Sequence, residues 1–253
     1  MIESDQFTMI ERERIVALSQ SSLHEDSNDA SEARDYLFST RKISLEVAKS
    51  FGIGYVPIRV DNRRISGRII FPIWDCHGDL VALSTRDFRS SIKNRGHWHE
   101  SFNKKHHLYG WKSAEDNIKS TRQIIIVEGQ FDVMAMHTHG FNNTVGVLGS
   151  HPSFFHIMIM ARYADEIIFA FDNDDAGKKA FQESLKIISS SGLLYDKSLS
   201  FFKVDLGRHK DPDELLKSSG QEDMEMHIEA SRKVKNKYDA AQWSANVSDL
   251  SID

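Results

Sequence analysis

Two apolar runs in this chain end in acids. Residues 123–132 read Gln-Ile-Ile-Ile-Val-Glu-Gly-Gln-Phe-Asp, and roughly forty residues on comes Ile-Ile-Phe-Ala-Phe-Asp-Asn-Asp-Asp-Ala-Gly. Glu128, Asp132, Asp172 and Asp174 are hard oxygen donors, and crowded carboxylates repel one another unless a cation lies between them. Asp172 and Asp174, two residues apart after a strand, point the same way and can hold one ion or a pair. Glu128 can bind metal or act as a general base, and Gly129 beside it lets the backbone approach a phosphate closely. A third acidic group stands in Gly207-Arg208-His209-Lys210-Asp211-Pro212-Asp213-Glu214. The chemistry implied is that of a Mg²⁺- or Mn²⁺-dependent enzyme working on phosphates. Each cluster has a plainer alternative. Asp172 or Asp175 can cap a helix, Asp132 can sit in a first turn, and Asp211 before Pro212 reads as an N-cap with Asp213 and Glu214 in the first turn.

The elements that carry these acids alternate between strand and helix. Unbroken β-branched and aromatic runs are how strands buried on both faces look, as in a parallel sheet. Strands are predicted at 124–127, 144–148, 166–171 and 200–204, with helices at 131–139, 153–161 and 175–190 between them. The acids then fall at the carboxyl edge of that sheet, where open α/β sheets bind their ligands. Residues 213–236 are expected to be one helix, followed by a polar, loosely held end.

Ahead of this region the pattern is mixed. A helix is predicted over 5–20, with Ile10, Ile15, Val16 and Leu18 as its apolar positions, then a polar loop over 21–30. Helices follow over 31–40 and from Ser44, which reads as an N-cap. Residues 67–85 read as an antiparallel hairpin turning at Asp-Cys-His-Gly-Asp, and 89–107 as a basic, aromatic loop.

The chain has 253 residues, is 40% hydrophobic and carries a net charge of −5. That charge is unevenly spread. Between Arg59 and Lys112 eleven basic residues face five acidic ones, which leaves about −11 for the rest of the chain. A basic surface toward phosphates and an acidic centre for metal fit this asymmetry; a merely solvated basic face is the alternative. Cys76 is the only cysteine, so the chain holds no internal disulfide and no zinc site built on several cysteines. Without a signal-like N-terminus or a long apolar stretch, a cytosolic location is expected.

Glu-Gly-x-x-Asp after one strand and Asp-x-Asp after another resemble the TOPRIM domain, and the surrounding segments resemble the bacterial-type (DnaG-type) primases in particular. These segments are Val-Glu-Gly-Gln-Phe-Asp-Val-Met-Ala, Gly-Phe-Asn-Asn-Thr-Val-Gly-Val-Leu-Gly and Phe-Asp-Asn-Asp-Asp-Ala-Gly-Lys-Lys-Ala, with Phe-Gly-Ile-Gly-Tyr-Val-Pro at 51–57, Gly-Arg-Ile-Ile-Phe-Pro-Ile at 67–73, Phe-Asn-Lys-Lys-His-His-Leu-Tyr-Gly at 102–110 and Lys-Asp-Pro-Asp-Glu at 210–214. They run in the family's order from about Ala33 to Leu216.

The resemblance implies an α/β fold: a parallel four-stranded TOPRIM sheet flanked by helices over 119–215, after a smaller mixed α+β primase subdomain over 1–118 and before a short helical tail over 216–253. It implies that Glu128, Asp132, Asp172, Asp174, Asp211 and Asp213 form the metal centre, with Glu128, Asp172 and Asp174 catalytic. Arg68, Arg86, Lys93 and Lys104 would bind nucleotide and template, and His97, Trp98 and His99 are candidates to stack on template bases. The implied activity is synthesis of short RNA primers on single-stranded DNA from NTPs, with two or more Mg²⁺ or Mn²⁺ ions and no zinc. A TOPRIM-type nuclease and an inactive nucleic-acid-binding replisome subunit are the alternatives. The family's zinc-binding and helicase-binding domains are not expected in this chain, and Gln130 stands where a Tyr is common in the family. The expectation is a minimal catalytic subunit of the kind a large phage encodes, partnered by a replicative helicase and a separate zinc-bearing component.

Overall fold

The computed structural model describes residues 6–25, 28–60, 62, 64–89, 96–193 and 198–233, which divide into two compact units at Asn103/Lys104. The break falls earlier than the 118/119 boundary expected from sequence. Leu108, Trp111, Ala114 and Ile118 are buried in the same cluster as Ile124, Ile126 and Phe169, so this stretch packs with the parallel sheet. Among the described residues no helix is long and apolar enough to cross a membrane.

In the first unit, helix α1 (Met9–His24) lies against an antiparallel sheet of β1 (Gly54–Val56), β2 (Arg68–Trp74), β3 (Leu80–Arg86) and β4 (His97–His99), in that order. Thr8 and Glu11 form a reciprocal capping box at the helix start. The helix extends through residues assigned to a loop from sequence, and its buried positions are Val16, Ser19 and Leu23. Ile10 and Leu18, expected to face inward, are exposed. The inward stripe follows the 16–19–23 spacing because β1 comes so close: a Cβ at Gly54 would lie 2.4 Å from the Ser19 backbone. Helix α2 (Ser31–Arg34) runs on into a π-helical stretch over Asp35–Thr40, and Ser44 caps α3 (Leu45–Ser50) through the Val47 N–H. The β2–β3 hairpin is as expected. Its turn is held by the Asp75 carboxylate, which accepts from the His77 and Asp79 amides. The region expected to be loop contains β4 and a 3₁₀ turn at Lys104–His106; β4 escapes a period-two reading because it is a three-residue edge strand of His-Trp-His.

Glu100 locks this unit. It is 1% exposed, accepts from the Phe7 and Leu83 amides, and takes a forked pair of bonds from Arg12 Nε at 3.0 and 3.2 Å. A buried carboxylate is tolerated when its lone pairs are met in this way.

The second unit is the expected parallel sheet, in the order β6 (Thr144–Gly146), β5 (Gln123–Val127), β7 (Glu166–Phe169), β8 (Ser200–Lys203). The helices between strands are α5 (Gln130–Thr138), α6 (Phe154–Tyr163) and α7 (Asp175–Ser190). Before β5 stands α4 (Trp111–Thr121), which sequence reading passed over although Trp111, Ala114 and Ile118 keep a helical spacing. Ile124, Ile126, Ile167 and Phe169 pack with α4, α6 and α7, while α5 packs against α8 (Pro212–Ser219). The single helix expected over 213–236 is two. Gly220 at φ +86° ends α8, and α9 (Gln221–Lys233) buries Met224 and Ile228. The polar segment after Lys233 lies outside the described residues.

Candidate active site

The carboxyl edge of the parallel sheet gathers the acids of all three clusters. Glu128 follows β5, and its Oε1 accepts from the Asp172 amide at 3.0 Å. That bond ties the turn after β7 to the end of β5. The close fit depends on Gly177 in the first turn of α7, where a Cβ would sit 2.0 Å from the Asp172 carbonyl oxygen and 2.9 Å from Glu128 Oε1. Asp174 is the N-cap of α7 and accepts from the Gly177 amide. Asp132, buried in the first turn of α5, accepts from Gly129 N at 3.2 Å and from Asp213 N at 3.4 Å, so it joins the first and third clusters. Asp211 caps α8 through the Glu214 amide, with Pro212 at the first helical position. Asn173 fixes the β7 turn to the third cluster, its amide donating to the Lys210 carbonyl and its Nδ2 to that of Gly207.

The plainer roles are therefore real for Asp211, which caps its helix, and Asp132, which braces a helix start, whereas the cap of α7 is Asp174 and not Asp172 or Asp175. These roles do not use up the carboxylates. Asp172 Oδ1 is buried and has no hydrogen-bond partner among the described residues. Electrostatics point the same way. Burial, then the charge of Asp172, pushes Glu128 up to about 7. Burial, then Asp172, Asp211 and Asp213, pushes Asp132 up to about 8, and burial raises Asp172 to about 6 against the pull of Lys210. Such mutual elevation is what acids show when they share a desolvated site without enough positive charge.

Two lysines supply part of that charge, and sequence reading assigned them nothing. Lys210 Nζ lies 3.1 Å from Asp211 Oδ2 and 3.7 Å from Asp172 Oδ2, and Lys217 Nζ lies 2.6 Å from Asp213 Oδ2. Lys217 was findable, since it follows Asp213 by one helical turn. Lys210 was not, because its contact with Asp172 spans two strands' connections. Among the described residues no three acidic, histidine or cysteine side chains are placed together so as to hold a metal ion. An open set of hard oxygens with an orphaned buried atom nonetheless fits Mg²⁺ or Mn²⁺, ions that keep water and substrate phosphates among their ligands.

The basic candidates separate. Arg68 and Arg86 meet at Gly96 in the first unit: Arg68 Nη2 donates to its carbonyl at 2.8 Å, and Arg86 Nη1 would be 2.9 Å from a Cβ there. Burial lowers the Arg68 pKa, and Arg68 Nε donates to Thr85 Oγ1. Partial loss of water, then the charges of Arg86, Arg68 and Arg41, lower the His97 pKa, although its side chain remains open to solvent. Trp98 is half-buried against Phe7, with the Arg64 guanidinium 5.8 Å over its ring. Lys104 belongs to the second unit, where burial lowers its pKa. Lys93 lies outside the described residues.

Residues 125–216 match the Toprim-like family model. A DNA primase of Borreliella burgdorferi is 33% identical over 85% of this chain and 45% of its own length, and a DNA primase of Legionella pneumophila is 31% identical over 75% of this chain and 37% of its own. The chain thus spans less than half the length of these two relatives. Among solved structures, a DnaG catalytic core superposes with a TM-score of 0.79 at 24% identity over 95% of this chain and 83% of its own. A DnaG primase catalytic domain bound to single-stranded DNA gives 0.74 at 23% identity, over 95% and 86%. Divalent metals are general in this family. The chain is thus a relative of the DnaG-type DNA primases and has the fold of their catalytic core.

Proposed function

We propose that this chain is the polymerising part of a DNA primase, making short RNA primers on single-stranded DNA from NTPs. The observation that carries the reading is the meeting of Glu128, Asp132, Asp172 and Asp213 at one sheet edge, with the Asp172 Oδ1 atom buried and unmet. Glu128, Asp172 and Asp174 hold the reactive end of the substrates, and Asp132, Asp211 and Asp213 complete the acidic set. Two or more Mg²⁺ or Mn²⁺ ions at these oxygens would neutralise the triphosphate and favour in-line attack by the primer 3′-hydroxyl. Asp172, fixed through its own amide, keeps its carboxylate in register with Glu128. Arg68, Arg86, Lys93 and Lys104 bind template and nucleotide phosphates, Arg as a fork and Lys as a point charge. The reading needs no zinc in this chain. Its natural partners are a replicative helicase and a zinc-bearing primase component, in the cytoplasm of a bacterium or a phage-infected cell.

Incubation of the protein with single-stranded DNA, labelled NTPs and Mn²⁺ tests this directly. New oligoribonucleotides that vanish in Asp172→Ala are the expected result. Shortened DNA would replace the reading with a nuclease, and retained but unaltered DNA with a binding subunit.

A further inference from the structure

The acids are not the only unusual feature at the carboxyl edge of the parallel sheet. β6 pairs with β5, and the chain leaving it turns into α6 beside a groove of about 470 Å³. Phe154 and Phe155, in the first turn of α6, are 51% and 58% exposed. Adjacent phenylalanines so open to water are uncommon, and they are not there for the core, which α6 meets through Ile157 and Met160. Their rings stand 6.3 Å apart at 78°, and the exposed His106 ring meets Phe155 edge to face at 4.4 Å. Phe154 and Phe155 thus present ring surface to solvent. Lys104 and Lys105 line the same groove, and Ser153 Oγ donates to the Lys105 carbonyl at 2.6 Å, pinning that 3₁₀ turn to the helix start. None of the lining residues is acidic. The positive end of a ten-residue helix adds to the two lysines.

We propose that this groove is a subsite for single-stranded nucleic acid, with bases stacking on Phe154, Phe155 and His106 and phosphates lying against Lys104, Lys105 and the start of α6. The inference rests on the nucleic-acid reading above and adds to it a place where the strand is held. Three features select this occupant over a peptide or a second copy of the chain. Every base offers a π-face to an exposed ring whatever the sequence. Lys104 and Lys105, in a groove lined by no acidic residue, complement a phosphate chain. The groove lies at the same sheet edge as Glu128 and Asp172, so a strand at the acids can continue across it.

The test is fluorescence anisotropy of a labelled oligodeoxythymidylate with the full chain, at low and moderate salt. Phe154→Ala/Phe155→Ala is expected to weaken binding by roughly tenfold or more, while Phe154→Tyr/Phe155→Tyr keeps it. Lys105→Ala is expected to weaken binding and flatten its salt dependence. Affinity of the alanine pair within about twofold of the parent would overturn the proposal, as would full affinity in Phe154→Leu/Phe155→Leu, which keeps apolar area without ring faces. Sedimentation showing parent chains paired through these residues would overturn it in favour of a self-association surface. Primer synthesis is scored separately. Primers made with Phe-independent binding sink the subsite alone, and Phe-dependent binding without primers sinks the catalytic reading alone.

Discussion

Glu100 and Asp132 are both buried carboxylates, and they behave as opposites. Glu100, in the antiparallel unit, meets two backbone amides and the Arg12 guanidinium. Asp132, in the parallel unit, meets two amides at longer range and faces Asp172, Asp211 and Asp213. Burial is therefore not what marks the active edge. The sign of the neighbours is. One carboxylate is a strut because its charge is answered; the other lies among like charges and, on the reading proposed above, is where a cation would bind.

That contrast can be broken in order of effect. Asp172→Ala or Glu128→Ala should lower primer synthesis on the order of 10²–10⁴-fold with unchanged circular dichroism; retained activity would remove the acids from the chemistry. Glu100→Ala should cost about 1–3 kcal/mol in urea unfolding, because the Phe7 and Leu83 amides and the part-buried Arg12 guanidinium lose their acceptor. If it proves neutral, Glu100 is not a strut. Gly177→Ala, which drives a methyl into the Asp172 carbonyl, should destabilise by about 1–3 kcal/mol and reduce activity with it.

The pH dependence sharpens the same comparison. Glu128, Asp132 and Asp172 have folded-state pKa values raised to about 7, 8 and 6. Protons are then held more tightly by the folded chain, so stability is highest below the ordinary carboxylate range and is lost as pH rises toward about 8. In chelator, Tm should fall between about pH 5 and pH 8, and Mn²⁺ should restore it more at pH 8 than at pH 5. Asp132→Asn should flatten that fall; a pH-independent Tm in the parent would deny the crowding. The smallest effect is expected for Lys210→Met. Removing the ammonium between Asp172 and Asp211 should tighten Mn²⁺ binding, read by titration calorimetry, and weaker binding would show that the lysine helps to build the site rather than compete for it.

Much of this was legible beforehand because local chemistry carried it. The apolar runs ending in Glu128 and Asp172 announced buried parallel strands, and the alternation with α5, α6 and α7 followed from strand and helix periods. The Ser44 cap and the β2–β3 hairpin were equally local. What failed did so where the partner is remote. Ile10 and Leu18 face water because the proximity of Gly54 to Ser19 sets the helix's rotation, and that constraint lies some thirty-five residues away. β4 exists because β3 offers it an edge, not because His-Trp-His favours a strand.

The same division holds at the site. Residue order alone determined which acids exist, that each follows a strand, and that strand ends share an edge. Only the tertiary structure decided that Asp132 reaches the Asp213 amide, that Lys210 stands between Asp172 and Asp211, and that Asp172 Oδ1 goes unmet. Spacing sets direction within an element, whereas charge balance depends on which elements meet, and that is settled by packing across the sheet.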